Sequence, residues 1–205
     1  MISIDTSTTL LDFSQYNLDE EKIVVIDNLF PNWFISYVHR QIMDSSGWRF
    51  GHYTESRNPE KEIPAFSQKI FPDPLSPISN DSLFPMIYHA VTHSMIDNPE
   101  IGEILINGQQ YYHNTIFHQD CKDNGITMLY YVNANAKEEW GGETHIKVPT
   151  SSKDSITNSD DIIKVTPRPG RICLFLGKLM HKGESFNSKT NTLRATIAYK
   201  IGRDG

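Results

Sequence analysis

His118 and Asp120, an imidazole and a carboxylate separated by one residue, form the pair in this 205-residue chain whose chemistry is easiest to name. In an extended segment side chains repeat every two residues, so donors at that spacing share a face. A third donor has to come from elsewhere, and His181 follows the apolar run 171–176 at a point where the chain can return to the same mouth. Two imidazoles and one carboxylate on one face leave further positions on a divalent ion open. Iron(II) needs that arrangement to bind a chelating co-substrate and dioxygen together, although zinc, manganese or nickel would accept the same donors. A His-x-Asp tripeptide is common by accident, so its weight depends on what accompanies it. His145 is the competitor for the third place. His113 lies an odd number of residues from His118 and would face the other way in a continuous strand, His39, His89 and His93 fall on predicted helices, and His52 is a substrate-side candidate.

Near the C-terminus an alternating run puts Leu193, Ala195, Ile197, Tyr199 and Ile201 on one face and Arg194, Thr196 and Ala198 on the other. An arginine beside small residues, aimed into an interior, needs an anion. A dicarboxylate held at its far end by the metal would supply one. The competing reading is an ordinary arginine on an edge strand. Thr127, Leu129 and Tyr131 share a face of another strand in the same way. We place Tyr131 inside, against the alternative of a core tyrosine bonded to backbone, and group Leu129 and Thr196 with Arg194 on the co-substrate side.

These residues need a scaffold of strands. A first strand is expected over 22–27, then a helix over 31–45 with Phe34, Val38 and Ile42 on its apolar stripe. Residues 48–81 are rich in proline, serine and asparagine and predict loop with one short strand at most; such a loop often serves as a lid. Trp48, Tyr53 and Phe66 in it either line a substrate groove or belong to the core. A second helix over 82–97 carries Leu83, Ile87, Val91 and Met95 or Ile96, with Pro85 tolerable in its first turn. Beyond residue 100, short apolar runs between turn residues predict strands at 103–107, 114–120, 126–133, 143–148, 162–166, 171–176, 180–184 and 193–201. The expected class is therefore α+β, mainly β: a double-stranded jelly-roll or cupin-like core with N-terminal helices packed on its larger sheet. The length suits one domain over 1–205, with helical support at about 22–100 and the catalytic jelly roll at about 101–203. Residues 1–21 read as an arm and 151–161 as a surface loop.

A formal net charge of -6, with basic residues scattered, argues against a nucleic-acid surface. Two cysteines, Cys121 and Cys173, make no disulfide framework. With no signal-peptide pattern and no span-length apolar stretch, a cytoplasmic location and no membrane partner are expected.

Taken in order, Asn107-Gly-Gln-Gln-Tyr111, His118-Gln-Asp120, residues 127–133, Trp140-Gly-Gly-Glu-Thr144, Pro169-Gly-Arg171, Phe175, His181 and Arg194 make a recognisable set. The stretch 107–201 resembles the prolyl 4-hydroxylase-like branch of the 2-oxoglutarate and iron(II)-dependent dioxygenases. That resemblance implies a double-stranded β-helix, iron(II) on His118, Asp120 and His181, 2-oxoglutarate on Arg194 with Tyr131 assisting, dioxygen as co-substrate and ascorbate as a reductant. It also implies hydroxylation of a prolyl residue in a peptide or protein, with the same chemistry on a free amino acid or small metabolite as the alternative. A cupin-like metal protein without oxygenase activity is the reading from another class. Trp48, Tyr53, Gln109, Tyr111 and Trp140 are the substrate-side candidates. Two positions depart from relatives: collagen-type members carry lysine where this chain has Arg194, and Ala198 replaces a hydroxyl residue found in some.

Overall fold

Isoleucine, valine, leucine and aromatic residues fill the runs that become strands, because branched and aromatic side chains fit a pleated, half-buried surface. The computed structural model describes residues 1–5, 23–52, 64–73, 78, 80–96, 98–113, 115–121, 124–149 and 161–202. The elements are β1 (Ile2–Asp5), β2 (Val24–Asp27), α1 (Asn32–Met43), β3 (Arg49–His52), β4 (Ala65–Phe71), α2 (Leu83–Met95), β5 (Glu100–Gln109), β6 (Ile126–Tyr131), a 3-10 turn (Glu138–Trp140), β7 (Thr144–Val148), β8 (Asp161–Val165), β9 (Ile172–Leu176), β10 (His181–Gly183) and β11 (Arg194–Gly202). One sheet runs β1-β2-β9-β6-β11-β5-β4-β3 and a second runs β10-β7-β8. A single antiparallel bridge between His118 and His181 ties residues around 118 to the edge of the second sheet. This is the expected mainly β, double-stranded architecture.

Strand period decides which residues meet on each face of the larger sheet. Its outer face presents Tyr130 and Tyr199 to the helical layer: Phe30 meets the Tyr130 ring edge-on at 5.9 Å, Tyr88 stacks on Tyr199 at 6.3 Å, and the Tyr199 hydroxyl donates to Phe84 O at 3.1 Å. Phe34, Ile35, Val38 and Ile42 of α1 and Leu83, Phe84, Ile87, Tyr88 and Val91 of α2 are buried. Each such side chain contributes roughly 1.5–3 kcal/mol relative to exposure. On the inner face the register builds rows across strands. Arg49 of β3 opposes Ser67 of β4, which opposes Asn107 of β5, which opposes Thr196 of β11. One step along, Lys69, Leu105, Ala198 and Leu129 align, and beyond them Glu103, Lys200 and Thr127.

Three expectations need correcting. Of the strand expected over 114–120, residues 115–120 form none beyond the single bridge at His118. His118 exchanges backbone hydrogen bonds with His181, after which the amides of Asp120 and Cys121 both donate to Gly177 O, so the segment is pinned at two points and bends between them. A Cβ on Gly177 would lie 2.5 Å from Cys121 Sγ, so this close approach needs glycine. The region 48–81 holds two strands, β3 and β4, where one short strand was the most expected. The pairing of β4 with β5 and of β3 with β4 outweighs a turn-like composition. Finally, β1 pairs in parallel with β2 at the start of the expected arm.

Arg171, in the Pro-Gly-Arg run, fastens β9 to β2. Its Nε and Nη2 donate to the two oxygens of Asp27 at 2.7 and 2.6 Å, and Nη1 donates to Thr166 O at 2.7 Å. Arg168 also reaches Asp27, at 3.7 Å, so losing Arg171 removes the bidentate hydrogen bonds without stranding the carboxylate, at a cost of about 1.5–3 kcal/mol. Arg171→Ala should therefore lower unfolding stability by about that amount in a urea titration; a change under about 1 kcal/mol would show the pair to be dispensable.

Candidate functional site

Between the sheets lies a cavity of about 490 Å³ whose lining includes His118, Asp120, His181, Arg194, Gln109, Thr115, Thr144, Leu129, Thr196, Ala198 and Lys200. His118, Asp120 and His181 offer donor atoms that all lie within 4.8 Å of one another, the one such group of three found among the described residues. His118 Nε2 is 3.8 Å from one Asp120 oxygen and His181 Nε2 is 3.5 Å from the other. The two imidazoles are oriented alike. His118 Nδ1 lies 3.3 Å from Ile116 O and His181 Nδ1 lies 2.9 Å from Leu179 O, in each case the carbonyl two residues upstream. A carbonyl only accepts, so each Nδ1 carries a proton and each Nε2 is turned toward Asp120 as the atom that would bind a metal.

The electrostatics suit a cation. Burial, reinforced by His181, lowers the His118 imidazole to about 4, which keeps it neutral as a ligand must be. For Asp120 burial alone would raise the carboxyl. The hydrogen bond and charge of His181, then Lys200 and Thr127, outweigh it and hold the group well below the usual carboxylate range. Thr127 Oγ1 donates to Asp120 at 2.7 Å and Lys200 Nζ lies 3.5 Å from the other oxygen. A hydrogen bond that fixes a ligand's orientation is typically worth about 10–100-fold in metal affinity. Thr127→Val should weaken cobalt(II) binding by that factor in a calorimetric titration while leaving the thermal midpoint nearly unchanged; equal affinity would deny Thr127 a positioning role.

Arg194 lies at the opposite end of the cavity-facing row of β11 from Lys200, is only 3% exposed, and lines the same cavity as the triad. Its Nε donates to Gly142 O at 2.6 Å, Nη1 to Gln109 Oε1 at 2.7 Å and Nη2 to Thr144 Oγ1 at 2.8 Å. Every one of these acceptors is neutral. Gly142 has φ +83° and a Cβ there would lie 2.7 Å from Phe186 and 3.3 Å from Arg194 Cδ, so glycine lets the backbone carbonyl come close enough to bind the guanidinium.

The other sequence candidates divide. Leu129, Thr196 and Gln109 line the cavity, and Gln109 also donates to Gly183 O at 2.8 Å. Tyr131 faces the interior but stands behind Arg194. Its hydroxyl shares a 2.7 Å hydrogen bond with Thr144 and its ring lies 5.5 Å under the guanidinium. Trp48 sits on the outer face, where its indole donates to Ile42 O and covers Gly108. Tyr111 is exposed and packed on Tyr112 at 4.0 Å, and Trp140 packs on Phe186 at 5.5 Å; neither is among the cavity-lining residues. Tyr53 lies outside the described residues. His145, the competitor, pairs with Glu184 at 3.7 Å and is not in the triad's group, whereas His52 does line the cavity. Sequence reasoning missed Lys200 and Glu103, and named Asn107 and Thr144 within motifs without giving them a role in the cavity. The period of two, carried one step past Ala198, would have found Lys200.

Residues 105–199 match the profile of the 2OG-Fe(II) oxygenase superfamily. No curated protein sequence matches the chain. Among solved structures, an oxidoreductase of the 2OG-Fe(II) oxygenase family from Burkholderia pseudomallei is 10% identical with a TM-score of 0.69, over 99% of this chain and 96% of that one. A prolyl hydroxylase from Trichoplax adhaerens, in complex with a hypoxia inducible factor oxygen degradation domain peptide fragment, is 15% identical at 0.63, over 90% and 84%. A Pseudomonas putida prolyl-4-hydroxylase is 13% identical at 0.61, over 91% and 95%. At these identities the likeness is one of fold.

Proposed function

We propose, from the premise that residues 105–199 form a 2OG-Fe(II) oxygenase domain, that His118, Asp120 and His181 hold its iron(II), that Arg194 binds the far carboxylate of 2-oxoglutarate, and that the acceptor is a peptide or protein, with a prolyl residue as the first candidate. The observation that carries this reading is the state of Arg194. A guanidinium has five N–H donors, of which three are spent on neutral acceptors, and no carboxylate among the described residues pairs with it. A buried cation without a counterion is costly. It becomes favourable when a carboxylate takes the two remaining donors, and the cavity it lines leads to three metal donors of the right kind.

The donor set fits iron(II): two neutral imidazoles, one ionised carboxylate and no thiolate leave coordination positions for a chelating co-substrate. Bound iron supplies, with 2-oxoglutarate and dioxygen, the oxidation of an unactivated C–H bond, 2-oxoglutarate leaving as succinate and carbon dioxide. The chain's own share is positioning and charge. Ile116 and Leu179 carbonyls hold the imidazoles in one tautomer, Thr127 and Lys200 hold Asp120, and Gln109, Gly142 and Thr144 fix the guanidinium plane before any anion arrives. Leu129 and Ala198 give the cavity apolar wall between its two charged ends.

Support for a peptide acceptor comes from fold neighbours that include a prolyl hydroxylase holding a peptide and a prolyl-4-hydroxylase. The test of the oxygenase reading is anaerobic addition of iron(II) and 2-oxoglutarate to metal-free protein. A weak visible charge-transfer band should appear with both present and with neither alone. Metal binding without that band would move the chain to the cupin-like, non-oxygenase class.

A further inference from the structure

The polar side chains on the inner face of the larger sheet differ in how they are used. At one end Arg194 and Gln109 are bonded to each other, and Gln109 also to Gly183 O. At the other end Lys69, Glu103, Lys200 and Asp120 form a continuous chain of ion pairs at 3.0, 2.8 and 3.5 Å. Between them runs the row Thr196, Asn107, Ser67 and Arg49, set by direct register from β11 through β5 and β4 to the edge strand β3. All four residues line the cavity, and none of their side chains has a hydrogen bond or ion pair among the described residues. Thr196, at 2% exposure, is buried. With the apolar Leu105, Ala198 and Leu129 in the next row, these unused donors and acceptors mark where a ligand's polar groups belong.

Charge and length narrow the ligand. The cavity-lining cations Arg49, Lys69, Lys200 and Arg194 outnumber the anions Glu103 and Asp120 by two in a chain whose overall formal charge is -6. Iron(II) and doubly charged 2-oxoglutarate cancel each other, so the loaded cavity keeps that excess, and on the side away from Arg194 the cations Arg49, Lys69 and Lys200 outnumber Glu103 and Asp120 by one. Thr196, next to Arg194, belongs to the co-substrate end, and two strand spacings, or about 10 Å, separate the Asn107 and Arg49 positions. That span is about three residues of extended chain, longer than a free amino acid. The Asn107 amide offers a donor and an acceptor side by side, as a peptide group requires, and Arg49 offers an exposed fork for a carboxylate.

We propose that this row seats an acidic peptide segment, its backbone on Asn107 and Ser67 and an aspartate or glutamate on Arg49, within about four residues of the residue that is oxidised. The inference rests on the oxygenase reading for which end of the cavity faces substrate. Its test does not depend on turnover.

Fluorescein-labelled peptides with one proline and glutamates four residues to either side, and their glutamine and lysine counterparts, are titrated by anisotropy into protein loaded with zinc(II) and 2-oxoglutarate. The glutamate peptide should bind on the order of tenfold tighter than the glutamine one, as a charge-assisted hydrogen bond implies. Arg49→Glu should reverse the order in favour of lysine, and Ser67→Asp, a milder change in the same row, should abolish the preference. Equal affinities, a ranking untouched by either variant, absence of binding by all three peptides, or displacement by free glutamate as effective as by unlabelled peptide would each overturn the proposal. The charge-transfer band of the unmodified protein judges the oxygenase reading separately.

Discussion

His181→Ala is expected to reduce coupled succinate formation to background and to weaken iron(II) binding by more than about 100-fold, since one of three protein donors is gone. The fold should survive. The bridge between His181 and His118 is made by backbone groups that alanine keeps, and the side-chain losses are the hydrogen bond to Leu179 O and ring contacts with His118 at 4.3 Å and Phe175 at 4.7 Å. Far-UV dichroism should therefore match the parent while an anaerobic iron titration does not. His118→Ala should behave alike. Asp120→Ala differs in one respect: it also frees Lys200, leaving that ammonium with Glu103 as its remaining ion-pair partner. Added imidazole should restore part of the metal affinity of His181→Ala and none of that of Asp120→Ala, because only the first cavity lacks an imidazole. Near-normal turnover in any of the three would sink the ligand assignment.

The triad was legible in the chain because its residue types are rare in combination, but the reason given for its first two members was incomplete. His118 and Asp120 do converge, yet through a bridge to His181 followed by a bend onto Gly177 O, and not through two residues of a regular strand. Periodicity served best where both faces of a strand are buried against unlike neighbours. The alternation in β6 and β11 put Leu129, Thr196 and Arg194 on the cavity side, as the structure does. It served less well for Tyr131. Which face a side chain takes follows from the period, but how far its hydroxyl reaches depends on the opposite sheet, and there Thr144 intercepts it. The strands β3 and β4 were hidden for a different reason. Their residues, such as Arg49, Phe50, His52 and Ser67, are exposed or half-exposed near a sheet edge, so no apolar alternation announces them, and only the pairing of β4 with β5 and of β3 with β4 makes them strands. The row from Thr196 to Arg49 was out of reach for the same reason, since it exists only in the register between strands far apart in sequence.

Arg194→Met should raise the 2-oxoglutarate requirement by roughly 100-fold or more, the usual consequence of removing one partner from a buried, hydrogen-bonded charge pair. Its effect on stability should be much smaller than the loss of an ordinary buried arginine. Without co-substrate the guanidinium is desolvated beside neutral acceptors, and burial works against its charge. An apolar side chain of similar length removes that penalty and leaves Gln109, Gly142 and Thr144 each short of one donor. The two effects nearly offset, so the thermal midpoint of the co-substrate-free variant should stay close to the parent's. The difference then appears on adding 2-oxoglutarate with zinc(II): the parent's midpoint rises with concentration, as for any ligand that binds only the folded state, and the variant's does not. Arg194→Lys keeps a charge but not the planar fork, so it should recover part of the midpoint shift. If Arg194→Met instead retains the parent's requirement, the carboxylate is seated elsewhere. Lys200 is the other mostly buried cation of the cavity, and Lys200→Met would then have to show the loss that Arg194→Met did not.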